Sequence, residues 1–167
     1  SFIRDAPFIS SLIQNPNHIG CHTLGKSEPF FQGTQRIEKE LIEICAVDIL
    51  NGESGEQDGY IASGGTEANI QAIWIYRNYF KKHFIVICNM MTTMFGSVDN
   101  VEAYTNQLID LSCDFKLHVD GAYGGFYYPF TDDNSLLTFR NPNITSFTLD
   151  AHKMAQAPYG TGVFLIR

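Results

Sequence analysis

The sequence predicts an α/β protein built on a mostly parallel sheet, and three stretches carry that prediction. Residues 84–89, Phe-Ile-Val-Ile-Cys-Asn, form an unbroken apolar run of strand length, the pattern of a strand covered on both faces. Residues 117–119 form a second run that stops at Asp120, and residues 144–149 a third, shortly before Lys153. Helical patterns separate the runs, and alternation of strands with helices marks this class.

In chain order, residues 1–34 hold Pro7, Pro16 and Pro29 with Gly20, Gly25 and Gly33, which leaves room only for an extended arm with short turns. His18, His22 and Lys26 lie in that arm and are read as structural or solvated. A packing helix is expected over residues 34–50, capped by Thr34, with Ile37, Leu41, Ile44, Cys45 and Ile49 at helical spacing. A short apolar lead over 60–62 runs into Ser63-Gly-Gly-Thr66 and a helix over 67–79, with Ile70, Ile73, Trp74 and Arg77 along its faces. After the strand at 84–89, Asn100 opens a helix whose expected inner face is Val101, Tyr104, Leu108 and Leu111. Beyond residue 149, Pro158, Gly160 and Gly162 make a turn-rich passage into a last apolar run at 163–166. The expected division is an N-terminal arm and packing helix over 1–50 and a ligand-binding domain over 51–167.

Bulk properties narrow the function. The chain has 167 residues, is 44% hydrophobic and carries a net charge of −7, which suits one globular unit with a real core and argues against a nucleic-acid surface. No apolar run approaches membrane-spanning length, and no basic region precedes an apolar stretch at the start, so neither a membrane helix nor a signal peptide is expected. Cys21, Cys45, Cys88 and Cys113 are scattered without a C-x-x-C pair; no metal site is expected, and a cytoplasmic location fits.

Three parts carry chemistry. Lys153 sits between a strand and a turn, where an α/β protein delivers side chains to the rim of its sheet. Asp120 ends a strand, and Thr92 and Thr93 follow another, so all three can converge at the carboxyl ends. Ser63-Gly-Gly-Thr66 opens a helix whose unpaired N–H groups face an anion, with the Thr66 hydroxyl able to cap the helix or donate to a phosphate. A lysine for a Schiff base, a carboxylate for a pyridine nitrogen and donors for a phosphate are what pyridoxal phosphate requires of a protein. Ala122, two residues beyond Asp120, is small enough to floor the ring, and Gly124 and Gly125 keep its surroundings uncrowded.

The motifs occur in the order Ser63-Gly-Gly-Thr-Glu-Ala-Asn69, Thr92-Thr-Met-Phe-Gly-Ser-Val-Asp99, His118-Val-Asp-Gly-Ala-Tyr-Gly-Gly125, Asp150-Ala-His-Lys153 and Pro158-Tyr-Gly-Thr-Gly162. In that order they resemble the group II pyridoxal-phosphate-dependent amino-acid decarboxylases, which include the glutamate, aromatic amino-acid, histidine and tyrosine/aspartate enzymes. The resemblance covers about residues 59–167. It implies an aspartate-aminotransferase-like (type I) fold and a cytoplasmic homodimer that releases an amine and carbon dioxide from an L-amino acid. By position, Lys153 would form the Schiff base, His152, Gly65 and Thr66 would hold the phosphate, and Asp120 would pair with the pyridine nitrogen. Ala122 would pack on one ring face, and Thr93 would lie at the oxygen-bearing edge.

The family also has, after the Ser-Gly-Gly-Thr helix, a long stretch with a strand, a ring-stacking histidine and a further helix. Here only Lys81, Lys82 and His83 separate Phe80 from the strand at 84, and His83 stands too near the helix end for that histidine. The family's C-terminal small domain has no counterpart either, and the expectation is that segments are omitted from the sequence. Two rivals remain at this stage. One is another type I lyase, of the sphingosine-phosphate-lyase or desulfurase kind, and the other is a non-catalytic remnant of the scaffold.

Overall fold

A computed structural model of the chain describes residues 32–79, 84–131 and 136–167. The expected arm with His18, His22 and Lys26, up to residue 31, lies outside the described residues, as does His83.

The helix expected over 34–50 comes in two windings, α1 over Gln32–Glu43 and a π-helical continuation over Ile44–Ile49. The amide of Leu50 reaches back five residues to the Cys45 carbonyl at 3.1 Å. Each π turn takes in an extra residue, which advances the inward face. Cys45, Ala46 and Leu50 are therefore buried, whereas Ile37 and Ile44, expected inside, are exposed.

Then follow β1 (Asp58–Ala62), α2 (Gly65–Tyr79), β2 (Phe84–Asn89), α3 (Val101–Asp110), β3 (Phe115–Gly121), β4 (Ile144–Asp150) and β5 (Gly162–Ile166). They build one sheet in the order β1-β5-β4-β3-β2. β2, β3 and β4 run parallel, and β5 runs antiparallel to both β4 and β1. The carboxyl ends of β1, β2, β3 and β4 and the start of β5 thus share one rim.

The two faces of the sheet differ in chemistry. On one, Leu117, Val119, Phe147, Leu149, Val163 and Leu165 pack with Ile42, Cys45, Ala46 and Leu50 into the main core. Phe139 meets Phe147 edge-on, with ring centroids 4.8 Å apart. The alternating residues His118 and Asp120 of β3 and Ser146, Thr148 and Asp150 of β4 point the other way, toward α2. A register shift after Leu117 pairs His118 with Ser146 and Asp120 with Thr148, which lines these polar side chains up.

α2 covers that face with its small side. Ala68, Ala72 and Tyr76 are buried against Phe164, while Ile70, Ile73 and Trp74 are exposed. Alanines bring the helix backbone close to the sheet, where the bulkier residues would hold it off. α3 is capped as expected, the Asn100 side chain accepting from the Ala103 amide at 3.1 Å. Its buried residues are Val101 and Thr105, with Tyr104 and Leu111 exposed, so the inner stripe is rotated from the expected one.

β2 also departs from expectation. It is an end strand of the sheet, with Cys88 buried but Phe84, Ile85 and Ile87 exposed. Its side toward the main core is covered; among the described residues nothing covers the Ile85 and Ile87 side.

The packing makes a contrast that urea denaturation can check. Phe147→Ala, at a fully buried site, is expected to cost about 3–5 kcal/mol. Ile109→Ala, on the exposed side of α3, is expected to stay within about 0.5 kcal/mol.

Candidate active site

Three passages of the chain meet at the rim. β1 runs through Ser63 and Gly64 into α2, β3 ends on Asp120 and Gly121 before Ala122, and β4 ends on Asp150 just ahead of His152 and Lys153. Gly65, Thr66, Asn69, Asp120, Ala122, Asp150, His152, Lys153 and Tyr159 all line one open cleft of about 460 Å³. Of the residues expected in a site, Gly65, Thr66, Asp120, Ala122, His152 and Lys153 are brought together here. Thr93 is not among the lining residues; it sits in the exposed loop after β2.

Two glycines allow the passages to approach. A Cβ on Gly162 would lie 2.7 Å from the Gly64 Cα, so the start of β5 lies directly against the turn that opens α2. A Cβ on Gly65 would lie 2.8 Å from the Ala122 Cβ and 2.9 Å from Asp150 Oδ2. The helix begins at Gly65, so Thr66 lies in the first turn rather than at the cap. Glu67 holds the turn instead. Its Oε2 accepts from the Ser63 hydroxyl at 2.5 Å and the Ser63 amide at 2.9 Å, bonds that hold its carboxyl below the usual range.

Asp120 is held from two sides. Its Oδ1 accepts from the Ala122 amide at 3.0 Å, and its Oδ2 accepts from the Asn69 side-chain amide at 2.7 Å. Lys153 Nζ lies 3.3 Å from Asp150 Oδ2, and His152 Nε2 lies 3.7 Å from the same oxygen. Asp150 is buried, and among the described residues its Oδ1 and the His152 Nδ1 are buried without a hydrogen-bond partner. Sequence reasoning gave Asp150 no role. Its signal was the alternation of polar and apolar residues from Ser146 to Asp150, which puts Asp150 on the face of Ser146 and Thr148.

Behind Asp120, His118 is buried between Ser146, 2.6 Å from its Nδ1, and Asn69 and Thr148, 3.0 and 3.1 Å from its Nε2. Burial pushes its pKa down to about 4, against the opposing pull of Asp120.

A family model, the pyridoxal-dependent decarboxylase conserved domain, matches residues 80–167. The chain belongs to this family. It is 42% identical over 229 aligned positions to a tryptophan decarboxylase of Clostridium sporogenes, the alignment taking in all of this chain and 55% of that protein. It is 30% identical over 190 positions to an L-aspartate/L-glutamate decarboxylase of Pyrococcus horikoshii, covering 81% of this chain and 48% of the relative. The chain thus spans about half the length of the curated relatives it matches. Among solved structures, L-methionine decarboxylase from Streptomyces sp. 590 in its internal aldimine form is similar at a TM-score of 0.78 and 15% identity, over 99% of this chain and 62% of that one. Glutamate decarboxylase of Lactobacillus brevis is similar at a TM-score of 0.71 and 18% identity, over 96% and 50%. These likenesses agree with the expected fold, the large domain of an aspartate-aminotransferase-like (type I) protein.

The cleft fits the pyridoxal group that the family name implies. It offers a primary amine at Lys153, a carboxylate at Asp120 held by two donors, and the first turn of α2 opening beside the unpartnered His152 Nδ1. Gly65 and Ala122 keep the floor between them low.

His118 also makes stability depend on pH in a defined sense. Its folded pKa lies below the ordinary value of 6.5, so the unfolded chain binds the proton more readily. This penalty is absent above about pH 6.5 and grows as the pH falls toward 4. His118→Gln is therefore expected to flatten the fall in melting temperature between pH 6.5 and 4 relative to the parent chain, as read by thermal melts across that range.

Proposed function

We propose that this chain belongs to an enzyme that decarboxylates an L-amino acid to its amine and carbon dioxide with pyridoxal 5′-phosphate, through Lys153. The observation that carries this reading is that Lys153 and Asp120 line the same cleft, at the end of the sheet where α2 begins. Aromatic amino acids come first as substrates, because the 42% identical relative is a tryptophan decarboxylase.

Each residue has a task in this reading. The cofactor supplies an electron sink for the bonding pair that the departing carboxylate leaves behind. Asp120 holds a proton on the ring nitrogen, which keeps that sink effective. Lys153 would hold the cofactor through its side-chain amine, which lies 3.3 Å from the buried Asp150 carboxylate. His152 Nδ1, the Thr66 hydroxyl and the first-turn amides of α2 bind the phosphate. Ala122 would support the ring.

A cytoplasmic homodimer is part of the proposal. No helix among the described residues is long and apolar enough to cross a membrane. Ile70, Ile73 and Trp74 give α2 an exposed apolar side of the kind a second subunit covers. Light scattering after gel filtration is expected to give twice the chain mass.

Two measurements test the chemistry. The chain given pyridoxal 5′-phosphate is expected to develop a visible absorbance band that Lys153→Ala abolishes; no band in the parent chain would favour a non-catalytic remnant. With an amino-acid panel, carbon dioxide is expected from tryptophan or another aromatic amino acid, and Asp120→Asn is expected to slow its release about a hundredfold or more. Turnover without carbon dioxide would point to another lyase.

A further inference from the structure

Between α2 and the sheet runs a line of side chains, buried at Tyr76, Ser146 and His118 and half-buried at Asn69 and Asp120. The Tyr76 hydroxyl bonds to Ser146 Oγ, Ser146 Oγ to His118 Nδ1 at 2.6 Å, His118 Nε2 to Asn69 Oδ1 at 3.0 Å, and Asn69 Nδ2 to Asp120 Oδ2 at 2.7 Å. Tyr76, Ser146 and His118 are each no more than 1% exposed, so water does not compete for the bonds among them, while Asn69 and Asp120 are half-buried at the cleft.

The chemistry of the groups fixes the direction of each bond. A carboxylate only accepts, so Asn69 must turn its NH₂ toward Asp120 and its carbonyl oxygen toward His118. The amide flipped the other way would set an oxygen against the carboxylate. A carbonyl oxygen also only accepts, so His118 carries its proton on Nε2, with the Thr148 hydroxyl as a second neighbour of that nitrogen at 3.1 Å. The bare Nδ1 then accepts from the Ser146 hydroxyl, and Ser146 in turn accepts from Tyr76. Every proton in the line points toward Asp120.

We propose that Asn69, backed by neutral His118, is a positioning residue that holds Asp120 as an acceptor-only carboxylate facing the cleft, so that Asp120 keeps the ring nitrogen of bound pyridoxal phosphate protonated. This rests on the reading that the cofactor occupies the cleft. Asn69 bonds to the one Asp120 oxygen that the Ala122 amide does not hold. Without it, that oxygen loses its donor and the carboxylate is free to turn about its Cβ–Cγ bond. The titratable members of the line are Tyr76, His118 and Asp120, and burial favours the neutral imidazole at His118.

Two spectroscopic arms test this, using Asn69→Leu, which keeps the branching but no donor, and Asn69→Ser, which is too short to bridge; circular dichroism checks that each folds. In the chain without cofactor, histidine ¹⁵N spectra near pH 7 are expected to show His118 protonated on Nε2 and to lose that preference in both variants. In the chain loaded with pyridoxal 5′-phosphate ¹⁵N-labelled at the ring, the parent is expected to give a protonated-ring signal. Either variant is expected to move that signal toward the neutral ring and to weaken cofactor binding about tenfold. An Nδ1 proton on His118 in the parent, or a ring signal unmoved in folded variants, overturns the proposal. Failure of the parent chain to bind the cofactor overturns both this proposal and the functional reading beneath it, whereas a histidine result against Nε2 leaves that reading standing.

Discussion

The site depends on one close approach of backbone to backbone. The start of β5 lies against the Ser63-Gly64 turn with no room for a side chain at Gly162. That contact brings the first turn of α2 up to the rim where β3 and β4 end. A larger residue at 162 would push the turn away, and with it the amides, Thr66 and Asn69 would leave Asp120 and Lys153. The chemistry is carried by side chains from the ends of β3 and β4, the turn after β4 and one helix, but their convergence is a matter of glycine positions.

A second constraint follows from the first. A helix held this near a sheet can present only small residues inward, and Ala68 and Ala72 meet that condition. The layer they leave is thin, and polar side chains fill much of it: His118, Ser146 and Thr148 from the strands, Asn69 and the Tyr76 hydroxyl from the helix. Burying so many polar groups is costly unless they satisfy one another, which is why they form a connected line rather than isolated pairs. The other face of the sheet carries the ordinary apolar packing that stabilises the domain, leaving this face to ligand chemistry.

Much of this was legible in the sequence. The runs at 84–89, 117–119, 144–149 and 163–166 correspond to strands, and the stops at Asp120 and Lys153 fall at the rim where an α/β sheet binds ligands. The facing of the helices was not legible. α2 has two apolar sides, one of Ile70, Ile73 and Trp74 and one of alanines, and hydrophobicity favours the larger residues while the space above the sheet admits the smaller. The π winding at Ile44–Ile49 leaves no periodic trace that separates it from an α-helix, so its inward residues were misplaced by part of a turn. Asn69 escaped notice because its partner is distant in sequence, Asp120 lying 51 positions on, whereas Asp150 stands beside His152 and Lys153 but owes its burial to the sheet.

The border of the sheet at β2 has a consequence of its own. Among the described residues β2 ends the sheet, its outer side taken by Asp99 at Asn89 and left without a strand partner at Ile85 and Ile87, which add an oily surface there. Such a margin is a template on which another extended segment can extend the ladder, whether from the same polypeptide or from a neighbour in solution. Fibrillar self-association through this margin is the hazard, and a charged residue at position 85 or 87 is the ordinary remedy.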